Sequence, residues 1–369
     1  MYKNVWKYFF TLLFFLLLLF IPGFNPPRTP EPPMAEIGRG LGSTIREENL
    51  KKFPTEDFLS IHFPGQVDWT LSKGLYAPSP NLGFRIRPNY LGRMMFAYKN
   101  TTIYNTVIET DEYGRRITPQ SSAKEPQKFA AFLGCSYAFG KGVQKNETLP
   151  FAFQNAAPEF EAYNYGVESW GPNNVLAQIQ ENNFPEKGEI KQTSGLFFYI
   201  YIDHHVRRVV GSMLMVAYSS RYFPYFDYDP LGKIFRLGNF EKNRKWTSLF
   251  YNWMARSWIV QKIGIDFPLI IQDHDVELTA DLILEIKNEL ARKVNGGRFV
   301  VVLFPSIKVG GPDIIPKLQA RGISYFDYRK VNFRELTDDR EWIPVDGHPT
   351  RYTQELVGKM LAKDVALMK

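Results

Sequence analysis

A serine, a histidine and an aspartate are the residues of this chain whose types and spacing could do chemistry together. An apolar run at 129–133 leads directly into Gly134-Cys135-Ser136-Tyr137-Ala138-Phe139-Gly140-Lys141-Gly142. A strand that ends in Gly-x-Ser and turns into a helix can expose the serine hydroxyl beside backbone N–H groups able to stabilise an oxyanion. The same letters also describe a Gly/Ser turn with no chemistry. A phosphate-binding P-loop fails on spacing. Five residues rather than four separate Gly134 from Gly140, and Gly142 follows Lys141 where Ser or Thr is required.

A serine nucleophile needs a base, and the chain has 5 histidines to supply one. His62 lies far upstream, His204 and His205 follow an apolar run, and His274 sits in a polar stretch beside Asp273. His348, in Val345-Asp346-Gly347-His348-Pro349, has a carboxylate two residues away in a Gly/Pro-shaped loop just before a helical pattern. That spacing lets Asp346 reach one ring nitrogen and leaves the other facing a nucleophile, the logic of a Ser-His-Asp triad. An Asp helix cap beside a surface histidine would read the same way.

These residues need a frame. Apolar runs at 129–133, 162–165, 196–202, 299–304 and 323–326 have the length of buried strands, with helix-length stretches between them. At 276–294, Leu278, Leu282, Ile283, Ile286 and Leu290 fall on one helical face, and 350–367 carries Leu356, Val357, Met360 and Leu361 at the same spacing. Strands alternating with helices predict an α/β fold with a parallel sheet covered on both faces. Sites in such folds gather at the carboxyl ends of strands, where Ser136 falls.

Four segments occur in a telling order: Phe132-Leu133-Gly134-Cys135-Ser136-Tyr137-Ala138-Phe139-Gly140, Asn164-Tyr165-Gly166, Ile202-Asp203-His204-His205, and Asp346-Gly347-His348-Pro349. Together they resemble the four blocks of the SGNH/GDSL hydrolase superfamily, over residues 128–369. Leu82-Gly83-Phe84-Arg85 and Asp111-Glu112-Tyr113-Gly114-Arg115-Arg116 are similar to lead-ins of its membrane-attached members. The resemblance implies a three-layer α/β/α, flavodoxin-like parallel sheet. It implies Ser136 as nucleophile, His348 as base and Asp346 as its orienting acid. The backbone N–H groups of Ser136 and Gly166 and the position of Asp203 would form the oxyanion hole. No metal or organic cofactor is implied. An α/β-hydrolase would also read Ser, Asp, His, but its acid and base come from separate loops, whereas here they are two residues apart.

Two residues depart from the pattern. Cys135 stands where the family places Asp, and is read as a small packing residue rather than a rival nucleophile. Asp203 stands where an oxyanion-hole Asn is usual, and an ionised carboxylate accepts hydrogen bonds without donating them. Either Asp203 stays protonated, or His204 supplies a donor, or the site is weak. Losing one donor of three costs about 10²–10³ in rate.

The remaining chain reads as attachment and cover. Lys3 and Lys7 precede an apolar run at 8–21 that ends at Pro22-Gly23, with no small-x-small cleavage site after it. An uncleaved signal anchor over 1–24 is preferred to a cleaved secretory signal, and its lysines predict a body outside the cytoplasm. A proline-rich spacer opens residues 25–125, which continue as a β-containing lead-in, and 126–369 form the hydrolase-like domain. With 369 residues and 44% hydrophobic content the chain can bury a large core, and a single cysteine excludes an intramolecular disulfide framework. The net charge of +7 lacks the dense basic pattern of a nucleic-acid reader. An aromatic surplus at 218–258 reads as an insertion that stacks on sugars, covers an acyl chain, or simply packs. The expected function is an extracytoplasmic esterase or O-acyltransferase acting on acyl esters, carbohydrate-linked ones included. The alternative is a non-catalytic domain that binds an envelope glycan or a partner.

Overall fold

The computed structural model describes residues 69–368, except 72–73, 99–100, 121–124, 182–183, 186–187, 258–259, 261–263, 307–309, 339 and 345. The expected anchor, the proline-rich spacer and His62 lie outside the described residues. Among the described residues, no helix is long and apolar enough to cross a membrane.

In chain order, the lead-in contributes β1 (Trp69–Leu71), β2 (Tyr76–Ser79), β3 (Gly83–Ile86), β4 (Leu91–Tyr98) and β5 (Thr101–Glu109). Then follow β6 (Lys128–Gly134), α1 (Ser136–Phe139), α2 (Leu149–Ala156), β7 (Phe160–Gly166), α3 (Pro172–Gln180), β8 (Gly195–Tyr201) and α4 (His204–Val210). A hairpin of β9 (Pro224–Tyr228) and β10 (Ile234–Asn239) precedes α5 (Lys245–Ala255) and α6 (Asp273–Lys293). The chain closes with β11 (Gly297–Leu303), β12 (Tyr325–Asp327) and α7 (Arg351–Leu367).

Five strands form a parallel sheet in the order β7-β6-β8-β11-β12. Numbered within this sheet the order is 2-1-3-4-5, the flavodoxin-like arrangement, and the expected strands coincide with its members. The first strand, β6, thus has the second on one side and the third on the other. The chain leaves its carboxyl end in a crevice where the winding reverses, and Ser136 stands there. Register aligns this rim, since Gly134 pairs with both Gly166 and Ile200.

The two-residue period of the strands builds two cores, one on each face of the sheet. Phe129, Ala131 and Leu133, with Phe197, Tyr199 and Val301, pack under α3 and α6 against Val175, Leu176, Leu282 and Ile286. Ala130, Phe132, Phe198, Val300 and Val302 face the opposite way, toward Leu149 and Phe153 of α2 and Val357 and Leu361 of α7. Rings of Phe132, Phe153 and Phe198 meet there with centroids 5.0–5.6 Å apart. The helices α2 and α7 touch closely because residue 358 is glycine. A Cβ there would fall 2.6 Å from that of Ala152 and 2.8 Å from the Phe153 nitrogen.

The lead-in forms an antiparallel β1-β4-β5 sheet and a separate β2-β3 hairpin. Its Leu75, Leu82, Ile86, Met94, Phe96 and Ile108 join the same core as β6 and α3, so residue 125 is not a break in packing. Asp111 Oδ1 accepts from the Tyr113 and Arg115 nitrogens at 3.0 and 2.9 Å, fixing a turn. After it, Arg116 is bridged singly to Thr110 and Asn164. In the aromatic insertion Phe223 and Phe226 are buried, and Phe223 lies 5.3 Å from Phe84 of the lead-in hairpin.

Phe198→Ala should lower the unfolding free energy by about 3–5 kcal/mol, because the rings of Phe132 and Phe153 lose a shared partner. Chemical denaturation checks this, and a loss below about 1 kcal/mol would mean the α2–α7 face is not packed as described.

Candidate active site

Ser136 is presented by a sharp exit from β6. Gly134 adopts φ +134°, and a Cβ there would lie 2.8 Å from the Ile200 carbonyl oxygen. Only glycine lets the strand end pass so close to β8. Cys135 then takes an extended conformation and α1 makes one turn, closed by bonds from the Gly140 and Lys141 nitrogens to the Ser136 carbonyl at 2.9 and 3.0 Å. First-turn N–H groups have no partner within a helix, so the Ser136 N–H is free of intrahelical bonding. Arg116, fully buried, braces the turn from beneath. Its Nη1 donates to the Phe139 and Gly140 carbonyls at 2.9 and 2.5 Å, and its Nη2 to the Val143 carbonyl at 2.6 Å. Burial pushes this guanidinium down to about 10 against the pull of Glu168, Glu147 and Tyr76, which leaves it charged near neutrality.

His348 arrives from the loop before α7. Bonds from the Ile343 nitrogen to the His348 carbonyl (2.8 Å) and from the Gly347 nitrogen to the Ile343 carbonyl (2.9 Å) shape that loop. Tyr137 connects it to α1. Its hydroxyl donates to the Gly347 carbonyl at 3.3 Å, and its ring lies 5.5 Å from the imidazole. From α7, Gln354 Nε2 donates to the Tyr137 carbonyl at 3.3 Å.

The structure brings Ser136, His348 and Asp346 into one hydrogen-bonded chain. His348 Nε2 lies 2.8 Å from Ser136 Oγ, and Nδ1 lies 2.5 Å from Asp346 Oδ2. Burial alone would raise the Asp346 carboxyl. The charges of His348 and Lys141, with hydrogen bonds from His348, outweigh burial and hold it well below the usual carboxylate range. An ionised carboxylate only accepts, so Nδ1 carries the proton and a neutral imidazole offers its Nε2 lone pair to the serine hydroxyl.

Two further charges, missed in the sequence reading, surround the acid. Lys141 Nζ lies 3.9 Å from Asp346 Oδ1 and 3.6 Å from Glu168 Oε2, with side chains 11%, 7% and 12% exposed respectively. Burial pushes the ammonium down, but Tyr104, Glu168 and Asp346 more than reverse it, so Lys141 stays protonated. In the sequence Lys141 stood out only as the lysine of a P-loop pattern that fails on its neighbours. Nothing local indicates that it reaches Asp346.

The other expected oxyanion donors are engaged elsewhere. The Gly166 N–H donates to Asn164 Oδ1 at 3.0 Å, and a Cβ on Gly166 would lie 2.2 Å from the Phe139 nitrogen, so this residue backs onto α1. Asp203 Oδ1 lies 3.5 Å from Arg329 Nη1, a guanidinium that also holds Asp313 and Asp327. Of the neighbouring histidines, His204 is exposed. His205 is buried, with Nδ1 2.8 Å from the Tyr199 hydroxyl. Burial, then Arg208 and His204, hold its imidazole neutral. Cys135 is fully buried in the α2–α7 core with Phe132 and Ala138. Among the described residues, no group of three or more His, Cys, Asp or Glu side chains is placed to hold a metal ion.

No protein-family model matches this chain, and no curated protein does. Solved structures similar to it include a member of the lipolytic protein G-D-S-L family from Veillonella parvula DSM 2008. It is 10% identical, with 66% of this chain and 100% of that one covered and a TM-score of 0.37. The psychrotrophic esterase EstA from Pseudoalteromonas sp. is 10% identical, covering 65% and 97%, with a TM-score of 0.37. Est24, a carbohydrate acetylesterase from Sinorhizobium meliloti, is 8% identical, covering 65% and 99%, with a TM-score of 0.34. At these scores the functional reading rests on the geometry around Ser136.

Asp346 has a depressed folded-state pKa, so its contribution to stability is present above the unfolded value of about 4 and is lost as pH falls toward the folded value. The stability difference between the parent chain and Asp346→Asn should therefore be largest above about pH 4 and shrink below it. Urea titrations across that range check this, and a difference that grows on acidification would contradict it.

Proposed function

We propose that this chain is a serine ester hydrolase that cleaves acyl esters on the outer side of a membrane. The observation that carries the reading is the continuous hydrogen-bonded chain from Ser136 through His348 to Asp346. As Ser136 Oγ attacks the acyl carbon, His348 Nε2 takes its proton, and Asp346 steadies the resulting imidazolium. The negative charge developing on the carbonyl oxygen meets the Ser136 N–H. Collapse of the tetrahedral species returns the proton from His348 to the leaving alcohol, and leaves an acyl-serine. Water, deprotonated by the same nitrogen, then releases the acid; a sugar hydroxyl in its place would make the reaction a transfer. Lys141 contributes by keeping Asp346 ionised in a buried setting, where a neutral acid would lose its hold on Nδ1–H.

Attachment to a membrane, with the body outside the cytoplasm, is supported by the apolar run at 8–21 and the lysines that precede it. A second reading, a domain that binds esters or glycans without turning them over, is favoured by one observation. The Gly166 N–H and the Asp203 side chain are both committed to partners inside the fold.

Hydrolysis of a short-chain acyl ester, with labelling by a serine-directed fluorophosphonate, separates the two. Ser136→Ala should abolish labelling and cut kcat/KM by at least about 10³-fold. A parent chain that neither turns over nor labels would leave the binding reading. Asp203→Asn should not raise the rate, because the side chain is held by Arg329 rather than by the oxyanion. A tenfold or greater gain, on the order of 1.4 kcal/mol of barrier, would put Asp203 at the oxyanion instead.

A further inference from the structure

Helix α5 is apolar on two opposite sides. Ser248, Tyr251, Met254 and Ala255 face inward and are buried. Trp246, Leu249, Phe250 and Trp253 recur at the i, i+3, i+4, i+7 spacing on the other side. The first three are 80%, 42% and 46% exposed. The Phe250 and Trp253 rings lie 6.1 Å apart, so the stripe is continuous. Further along the chain, Leu269 and Ile270 are also 63% and 69% exposed. A helix with apolar residues on both sides needs cover on both, and exposed apolar surface of this extent marks an interaction site.

The charge around the stripe indicates what covers it. From 242 to 265 the sequence holds Lys242, Arg244, Lys245, Arg256 and Lys262 and no Asp or Glu. Lys242, Lys245 and Arg256 are exposed. The flanking acids are already paired, Glu241 with Arg221 and Asp266 with Arg207. Tryptophan and phenylalanine beside unopposed lysine and arginine suit the boundary between acyl chains and anionic headgroups. A second protein copy would instead set these cations against their own kind. We propose that α5 is a membrane-surface helix that lays its outer stripe into the interface of an anionic bilayer. It would give the body a contact with lipid separate from the apolar run at 8–21.

The test uses the full chain reconstituted in vesicles, with Phe250→Cys carrying an environment-sensitive fluorophore. Cys135 is fully buried and stays unlabelled, which the parent chain controls. In phosphatidylcholine–phosphatidylglycerol vesicles, emission should shift to the blue and be quenched by brominated acyl chains. Quenching should be weaker in pure phosphatidylcholine and should fall as salt is added. No quenching in either vesicle overturns the proposal, as does quenching that ignores lipid charge. A blue shift without bromine quenching also overturns it, and would identify a protein or glycan as the cover. Ester hydrolysis measured on the same sample keeps this result separate from the fate of the catalytic reading.

Discussion

Ser136 and His348 lie 212 residues apart in the chain and 2.8 Å apart in space, and the catalytic reading of this protein depends on that closure. One end is fixed by β6, which sits inside the sheet with a neighbour on each side. The other is fixed by α7, which can press onto α2 because position 358 has no side chain. Tyr137 and Gln354 then connect the two ends across the rim. A displacement of α7 by even 1 Å would stretch the serine–imidazole bond beyond useful length. The precision of the site is therefore a property of helix packing on the far face of the sheet.

Charge is the second constraint. Asp346, Glu168 and Lys141 lie largely out of water, as does Arg116, and each would be costly alone. Together their charges offset one another. Lys141 neutralises two carboxylates, while Arg116 gives its protons to carbonyls in the α1 turn and the residues after it. Asp346 thus belongs to a buried electrostatic group anchored on the same turn as Ser136.

Much of this was legible in the sequence, and the residues explain why. The strands of the sheet are short apolar runs, and α6 and α7 carry unmistakable helical spacing, so the layered fold and the carboxyl-end site follow from periodicity. Asp346 and His348 share a loop, so their pairing was readable locally. Arg116, Lys141 and Glu168 were not, because their roles depend on which distant carbonyls or carboxylates the fold brings near. Gly166 and Asp203 show the converse. Their block positions suggested donors, but a side chain two residues back captures one, and Arg329, from far downstream, holds the other. The α5 stripe was noticed as an aromatic surplus, yet only the burial of its opposite side reveals that it faces outward.

The order of assembly along the chain has a temporal consequence. In the proposed reaction the nucleophile emerges early during synthesis, while its base and acid arrive on a later loop just ahead of α7. Until that helix docks on α2, Ser136 has no partner to take its proton and remains an ordinary alcohol. If exported as proposed, the chain would cross the membrane in an inert form and acquire reactivity only as α7 locks in place. Completion of folding and arming of the site are then a single event.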